Sequence, residues 1–156
     1  MKNANSKILE LLSPKYERDN IKLGLSRIKK ALQELGNPCK NIPAIQIIGT
    51  NGKGSIAAYL ESILFEAKRN FGVTTSPHLL DVCERIRVNK KNINKTDFEK
   101  IYRLIQKNFS TFELTPFEKI NCCALNFFDH QKVELLILEA GLGCLLYTSP
   151  SPRDRG

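Results

Sequence analysis

The chain has 156 residues, 42% of them apolar, and a formal charge of +8, enough for one soluble domain with a core of its own. No apolar run reaches the length of a membrane span, and Met1-Lys2-Asn3-Ala4-Asn5 lacks the apolar stretch of a signal peptide, so a cytoplasmic protein with no membrane attachment is expected. The lysines are scattered rather than gathered into a basic patch interleaved with aromatics, which argues against nucleic acid as a partner.

Residues 6–12 open on Ser6 and carry a short amphipathic pattern that Ser13-Pro14 stops. Ile21, Leu25, Ile28, Leu32 and Leu35 recur at helical spacing and predict a helix over about residues 19–35, ended by Gly36-Asn37-Pro38. A polar loop leads to a first strand over 44–48, a helix over about 55–68, and a second short strand over 71–75. Strand, crossover helix and strand imply a parallel pair with a right-handed connection, whose ligand site lies at the C-terminal strand ends. Residues 80–95 mix charge and loop formers. Thr96-Asp97 opens a helix with Phe98, Ile101, Tyr102, Ile105 and Phe109 on one face. Thr115-Pro116-Phe117-Glu118 has the form of a helix start with proline at the first position. That helix runs to about His130, with Ile120, Ala124, Phe127 and Phe128 available for the core. Leu135-Leu136-Ile137-Leu138 is a continuous apolar run of the buried parallel-strand type and ends in Glu139. The expected fold class is α/β, a parallel sheet with a phosphate-binding loop.

The loop is the segment around which the chain is organised. The apolar run ending in Ile47-Ile48 passes into Gly49-Thr50-Asn51-Gly52-Lys53-Gly54-Ser55, and a helical pattern follows. Glycines let the backbone pass close to a polyphosphate, successive N–H groups turn inward, and a helix N-terminus adds partial positive charge. Lys53 supplies a full charge for the outer phosphates. The segment departs from the common nucleotide loop: Gly49 stands only three residues before Gly52, and Gly54 separates Lys53 from the hydroxyl of Ser55. At the end of the last apolar run, Glu139 stands where phosphate-loop enzymes place a magnesium-directed carboxylate; a salt-bridging or capping role is the alternative.

The five cysteines, Cys39, Cys83, Cys122, Cys123 and Cys144, are odd in number and lack two-residue spacing, so reduced thiols are expected, with Cys122-Cys123 as small apolar filler on a helix. His78 and His130 are too few and too separated for a zinc site. After Gly143 the character changes. Residues 144–156 are rich in Ser and Pro and contain neither Lys nor Asn. They resemble the translated adapter sequence found at the ends of truncated predicted proteins. The expected organisation is residues 1–143 as the folded part of the chain and 144–156 as a non-native or disordered tail.

Four segments in order resemble the dihydrofolate synthase/folylpolyglutamate synthase family of the Mur ligase superfamily. They are Gly49-Thr50-Asn51-Gly52-Lys53-Gly54-Ser55; Thr75-Ser76-Pro77-His78-Leu79 followed by Glu84-Arg85-Ile86-Arg87-Val88-Asn89; Leu114-Thr115-Pro116-Phe117-Glu118; and Leu138-Glu139-Ala140-Gly141-Leu142-Gly143. The resemblance implies an ATP-dependent ligase, a monomer in full-length form, that phosphorylates the carboxylate of dihydropteroate or a folate, with residues 1–143 as the N-terminal part of its Mur-ligase-type ATP-binding domain. The amine of L-glutamate then attacks the acyl phosphate. By resemblance, Gly49, Thr50, Asn51, Gly52, Lys53, Gly54 and Ser55 hold the ATP phosphates, with Lys53 as the catalytic cation. Ser76 and Glu139 resemble the ligands of Mg2+, and Thr115, Pro116, Phe117 and Glu118 match the segment that contacts the pterin. Each has a plainer reading: Ser76 caps a turn, His78 orders a loop, Arg85 and Arg87 lie solvated, and Thr115-Pro116-Phe117-Glu118 starts a helix.

The family continues beyond Gly143 with Gly-Arg-Leu-Asp-Ala-Thr-Asn, its later metal-binding histidine and a C-terminal domain, none of which this sequence carries. The fragment alone is therefore expected to be inactive. Its sheet is expected to hold three strands, the last with an unpaired edge, giving marginal stability. The alternatives are another Mur-type amide ligase and a nucleotide-binding fragment without catalysis.

Overall fold

The computed structural model describes residues 24–139. Helix α1 (Ser26–Glu34) leads to β1 (Ala44–Ile47), α2 (Lys53–Glu66) and β2 (Phe71–Thr74). A short 3-10 turn over Val82–Arg85 runs into β3 (Ile86–Val88) and β4 (Lys91–Asn92), followed by α3 (Lys95–Asn108), α4 (Pro116–His130) and β5 (Leu135–Glu139). The amphipathic segment 6–12, residues 19–23 of the helix expected over 19–35, and the tail from 140 onward with Cys144 lie outside the described residues; Gly24 (φ 108°) and Leu25 are not helical, so that helix begins at Ser26.

The strands form one five-stranded sheet in the order β1-β5-β2-β3-β4. β5 pairs in parallel with β1 on one side and β2 on the other, while β3 and β4 add an antiparallel hairpin beside β2. This corrects three expectations. β1 and β2 are parallel but not neighbours, because β5 lies between them. The sheet has five strands among the described residues rather than three. β5, the last described strand, is paired on both sides, and among the described residues the outer strands are β1 and β4. The unbroken Leu135-Leu136-Ile137-Leu138 run fits that place, since a central parallel strand is covered on both faces.

The segment 80–95 is ordered structure, not a run of loop formers. Ile86 and Val88 alternate with Arg85 and Arg87, and Asn89 and Lys90 both take positive φ (50° and 67°), as a tight hairpin turn demands. The following helix begins one residue earlier than Thr96-Asp97 suggests, because the Asn94 side chain accepts the Asp97 N–H and caps it.

The two faces of the sheet are packed unequally. On one face α1, α3 and α4 enclose a large core around Ile28, Phe98, Tyr102, Ile105, Ile120, Phe128, Leu136 and Leu138. Gly72 is required there: a Cβ would lie 2.7 Å from Cδ1 of the buried Phe128 ring. On the other face, among the described residues, α2 covers Ile47, Phe71, Val73 and Ile137 through Ala57, Leu60 and Leu64. The outer side of α2 leaves Ile56, Tyr59, Ile63 and Phe65 exposed, and Ile45 and Ile48 are exposed at β1, whereas Leu136, Ile137 and Leu138 of β5 are buried.

Candidate active site

The C-terminal ends of β1, β5 and β2 bring three of the sequence motifs to one edge. β1 runs into the glycine loop, β2 into Thr75-Ser76, and β5 ends in Glu139. In the strand register Ile47 faces Glu139 and Thr74 faces Leu138. The acid therefore stands between the loop after β1 and the serine after β2. The backbone N–H of Ser76 donates to Glu139 Oε2 at 3.0 Å, and the Glu139 residue is buried.

The loop has the backbone that its glycines permit. Gly52 takes φ 78° and ψ 0° at the N-cap of α2, a left-handed conformation that side chains resist. α2 has no side-chain cap hydrogen bond, so the N–H groups of its first turn have no capping side chain. Helix α2 begins at Lys53 rather than Ser55, which places Lys53 and Gly54 within that first turn. Gly54 has no positive φ and nothing within 4 Å of where a Cβ would stand. No protein contact requires a glycine there, and glycine in a helix costs about 0.5–1 kcal/mol relative to alanine. The bare backbone at Gly54 leaves room for a group to approach it closely. Lys53 Nζ donates to the carbonyls of Gly49 (2.9 Å) and Thr50 (3.4 Å), so the ammonium is folded over the loop. Thr50, Asn51 and Ser55 are exposed around it.

Ser76 and Glu139 supply one hydroxyl and one carboxylate, and no cluster of three or more His, Cys, Asp or Glu side chains suited to a metal occurs among the described residues. Two hard oxygen donors beside the glycine loop are of the kind that suits a cation such as Mg2+, which prefers oxygen ligands and keeps several waters. They do not suit zinc.

The loop leaving β2 is held by its own carboxylates. Glu84 accepts the N–H groups of Leu79 (2.8 Å), Leu80 (3.1 Å) and Asp81 (2.9 Å), and these bonds hold its carboxyl below the usual glutamate range. Asp81 caps the 3-10 turn through the Cys83 N–H at 2.8 Å, which lowers its pKa likewise. Neither arginine of this region is solvated. Arg85 is 1% exposed, and its Nε donates to His78 Nδ1 at 2.9 Å. Arg87 pairs with the buried Glu61 of α2 and donates to Thr75 Oγ1 at 3.0 Å. Glu61 was not legible as a site residue from motif spacing. Its signal was a carboxylate at helical spacing in the buried stripe Ala57, Leu60, Glu61, Leu64.

Thr115, Pro116, Phe117 and Glu118 stand at the N-terminus of α4, on the opposite sheet face from α2. Their polar atoms are engaged locally. Thr115 Oγ1 accepts the Glu118 N–H (3.2 Å), and Glu118 Oε2 accepts the Thr115 N–H (2.8 Å). Arg27 of α1 donates from Nη2 to Glu118 Oε1 (3.2 Å) and from Nε to Oε2 (3.4 Å). Phe117, half-buried, is the member with open surface. The thiols carry no chemistry here. Cys39, Cys83, Cys122 and Cys123 are buried, and desolvation pushes the first three to about 12 and the fourth well above its ordinary value.

No family model matches the chain. The dihydrofolate synthetase of Saccharomyces cerevisiae is 38% identical over 126 residues, 79% of this chain and 29% of the yeast protein. The crystal structure of folylpolyglutamate synthase from Thermotoga maritima matches at 35% identity with a TM-score of 0.74, over 87% of this chain and 33% of that one. A bifunctional folylpolyglutamate synthase/dihydrofolate synthase with Mn, AMPPNP and L-glutamate bound matches at 33% identity and TM-score 0.73, over 78% of this chain and 30% of that one. The chain spans about a third of the length of these relatives. In sequence and in fold it is a homologue of the dihydrofolate synthase/folylpolyglutamate synthase family within the Mur ligase superfamily.

Proposed function

We propose that the chain forms the nucleotide-binding part of a cytoplasmic, ATP-dependent ligase that joins L-glutamate to dihydropteroate, to folates, or to both. The observation that carries this reading is the strand-end cluster: an uncapped, glycine-lined helix start with Lys53, beside Glu139 held against Ser76. The first-turn N–H groups and Lys53 bind the ATP phosphates and orient the terminal phosphoryl group. Phosphoryl transfer needs mainly positioning and neutralisation of charge, which this arrangement supplies. Ser76 and Glu139 hold Mg2+, which when bound screens the phosphate oxygens. Phe117 offers its ring to the pterin, while Thr115, Pro116 and Glu118 fix the helix start that presents it. The homology favours folate substrates over those of another Mur-type ligase.

Binding of a fluorescent ATP analogue, titrated with and without Mg2+, tests the nucleotide part. Micromolar binding that strengthens with Mg2+ and is lost in Lys53→Ala is the expected result. The ligase part is tested on a chain extended to the relatives' length. Release of ADP that depends on both L-glutamate and dihydropteroate or folate supports it, and ATP binding without such turnover selects the non-catalytic reading.

A further inference from the structure

Resting on the reading of Ser76 and Glu139 as cation ligands, we infer that Arg87 is a positioning residue for that site. It ties the metal-bearing end of β2 to the nucleotide helix through Glu61. Arg87 lies on β3, away from the loop, but its guanidinium joins three elements. It forms a salt bridge to Glu61 of α2, and Nε reaches both Glu61 carboxylate oxygens at 3.2 Å. Nη1 donates to Thr75 Oγ1 at 3.0 Å and to the Glu84 carbonyl. Thr75 is the residue before Ser76, whose N–H fixes Glu139.

The side chains concerned are secluded, at 18% exposure for Arg87 and 7% for Glu61. A charged pair this sheltered from water holds a geometry better than a surface pair does. The chain of contacts is continuous: α2, whose first turn is the phosphate loop, to Glu61, to Arg87, to Thr75, to Ser76 and Glu139. It sets the distance between the phosphates and the cation ligands from beneath α2, between that helix and the segment that leaves β2. A planar fork is needed, because one group must meet a carboxylate and a hydroxyl at once. Lysine carries the charge but not the fork.

The test is Mn2+ binding to the full chain in the presence of AMPPNP, followed by electron paramagnetic resonance, beside AMPPNP binding without metal. Thr75→Val removes only the hydroxyl that Arg87 grips, and Arg87→Lys removes the fork while keeping the charge. Both should weaken Mn2+ binding about tenfold while metal-free AMPPNP affinity and the far-ultraviolet spectrum stay as in wild type, as for other residues that orient metal ligands. Wild-type Mn2+ affinity in both variants overturns the inference. Equal losses of metal-dependent and metal-free binding also overturn it, since they mark a general loosening. The underlying reading fails separately, if wild type and Glu139→Gln bind Mn2+ with AMPPNP equally well.

Discussion

Two helix N-termini in this molecule differ in sequence and in how their first-turn donors are met. α4 opens with Thr115, Pro116 and Glu118, which close a reciprocal capping box that Arg27 seals from α1. α2 opens with Gly52, Lys53 and Gly54, has no side-chain cap, and keeps open space above Gly54. A helix that satisfies its own first-turn donors is finished as a structural element. One that leaves them to others is prepared for an anion. The difference separates a helix start engaged in holding the fold from one whose donors are open to a ligand, as proposed for α2.

The largest effect expected from this contrast is on stability, at α4. Glu118→Ala removes the cap acceptor and a partly buried partner of Arg27 and should cost about 2–4 kcal/mol, read from the urea midpoint. Metal-free nucleotide affinity of the folded protein should not change. A variant as stable as wild type that no longer binds dihydropteroate would reverse the assignment and make Glu118 a ligand contact.

Lys53→Ala should show the opposite pattern. Losing a charged donor to phosphate lowers ATP-analogue affinity about 100-fold, some 2.7 kcal/mol. The urea midpoint should barely move, because the exposed contacts of Lys53 Nζ to loop carbonyls add little. Gly54→Ala sharpens the comparison further, since the two readouts should move in opposite directions. Helix propensity stabilises the variant by about 0.5–1 kcal/mol, while the new methyl group obstructs the phosphates and weakens binding. Unchanged binding would show that the space above Gly54 is not used.

How far these regions were legible follows from the range of their interactions. The glycine turn, the Thr115-Pro116 helix start and the apolar β5 segment are local patterns, and the structure has a turn, a helix start and a strand there, with the helix after the glycine turn starting two residues early at Lys53 and the capping box added at Thr115 and Glu118. Strand order is not local. Nothing near residues 44–48 or 71–75 shows that a segment more than sixty residues later inserts between them. The Glu61–Arg87 pair was hidden for the same reason, because its partners are 26 residues apart on different elements. The β3–β4 hairpin was more accessible. Arg85, Ile86, Arg87 and Val88 alternate and Asn89-Lys90 marks the turn, but the charge of the segment masked a strand whose arginines point to internal partners.

The smallest effect expected is a pH response in the loop between β2 and the 3-10 turn, where anion binding is internal to the chain. The Glu84 carboxylate takes the Leu79, Leu80 and Asp81 N–H groups that a helix start of the α2 kind would offer to a ligand. Its pKa is lowered chiefly by those backbone hydrogen bonds, and that of Asp81 chiefly by the Cys83 N–H. A carboxyl with a depressed folded pKa contributes order that is fully present above its unfolded value and is lost as pH falls through the folded one. The hydrogen-exchange protection of Leu79 and Leu80, corrected for intrinsic rates, should therefore be flat from neutral pH to about 4.5 and decline below it. Glu84→Gln should lack that decline and show low protection throughout. Protection that is unchanged below the ordinary glutamate range, or identical in Glu84→Gln, would mean that the carboxylate does not hold the loop and that Leu79 and Leu80 owe their place to the flanking strands.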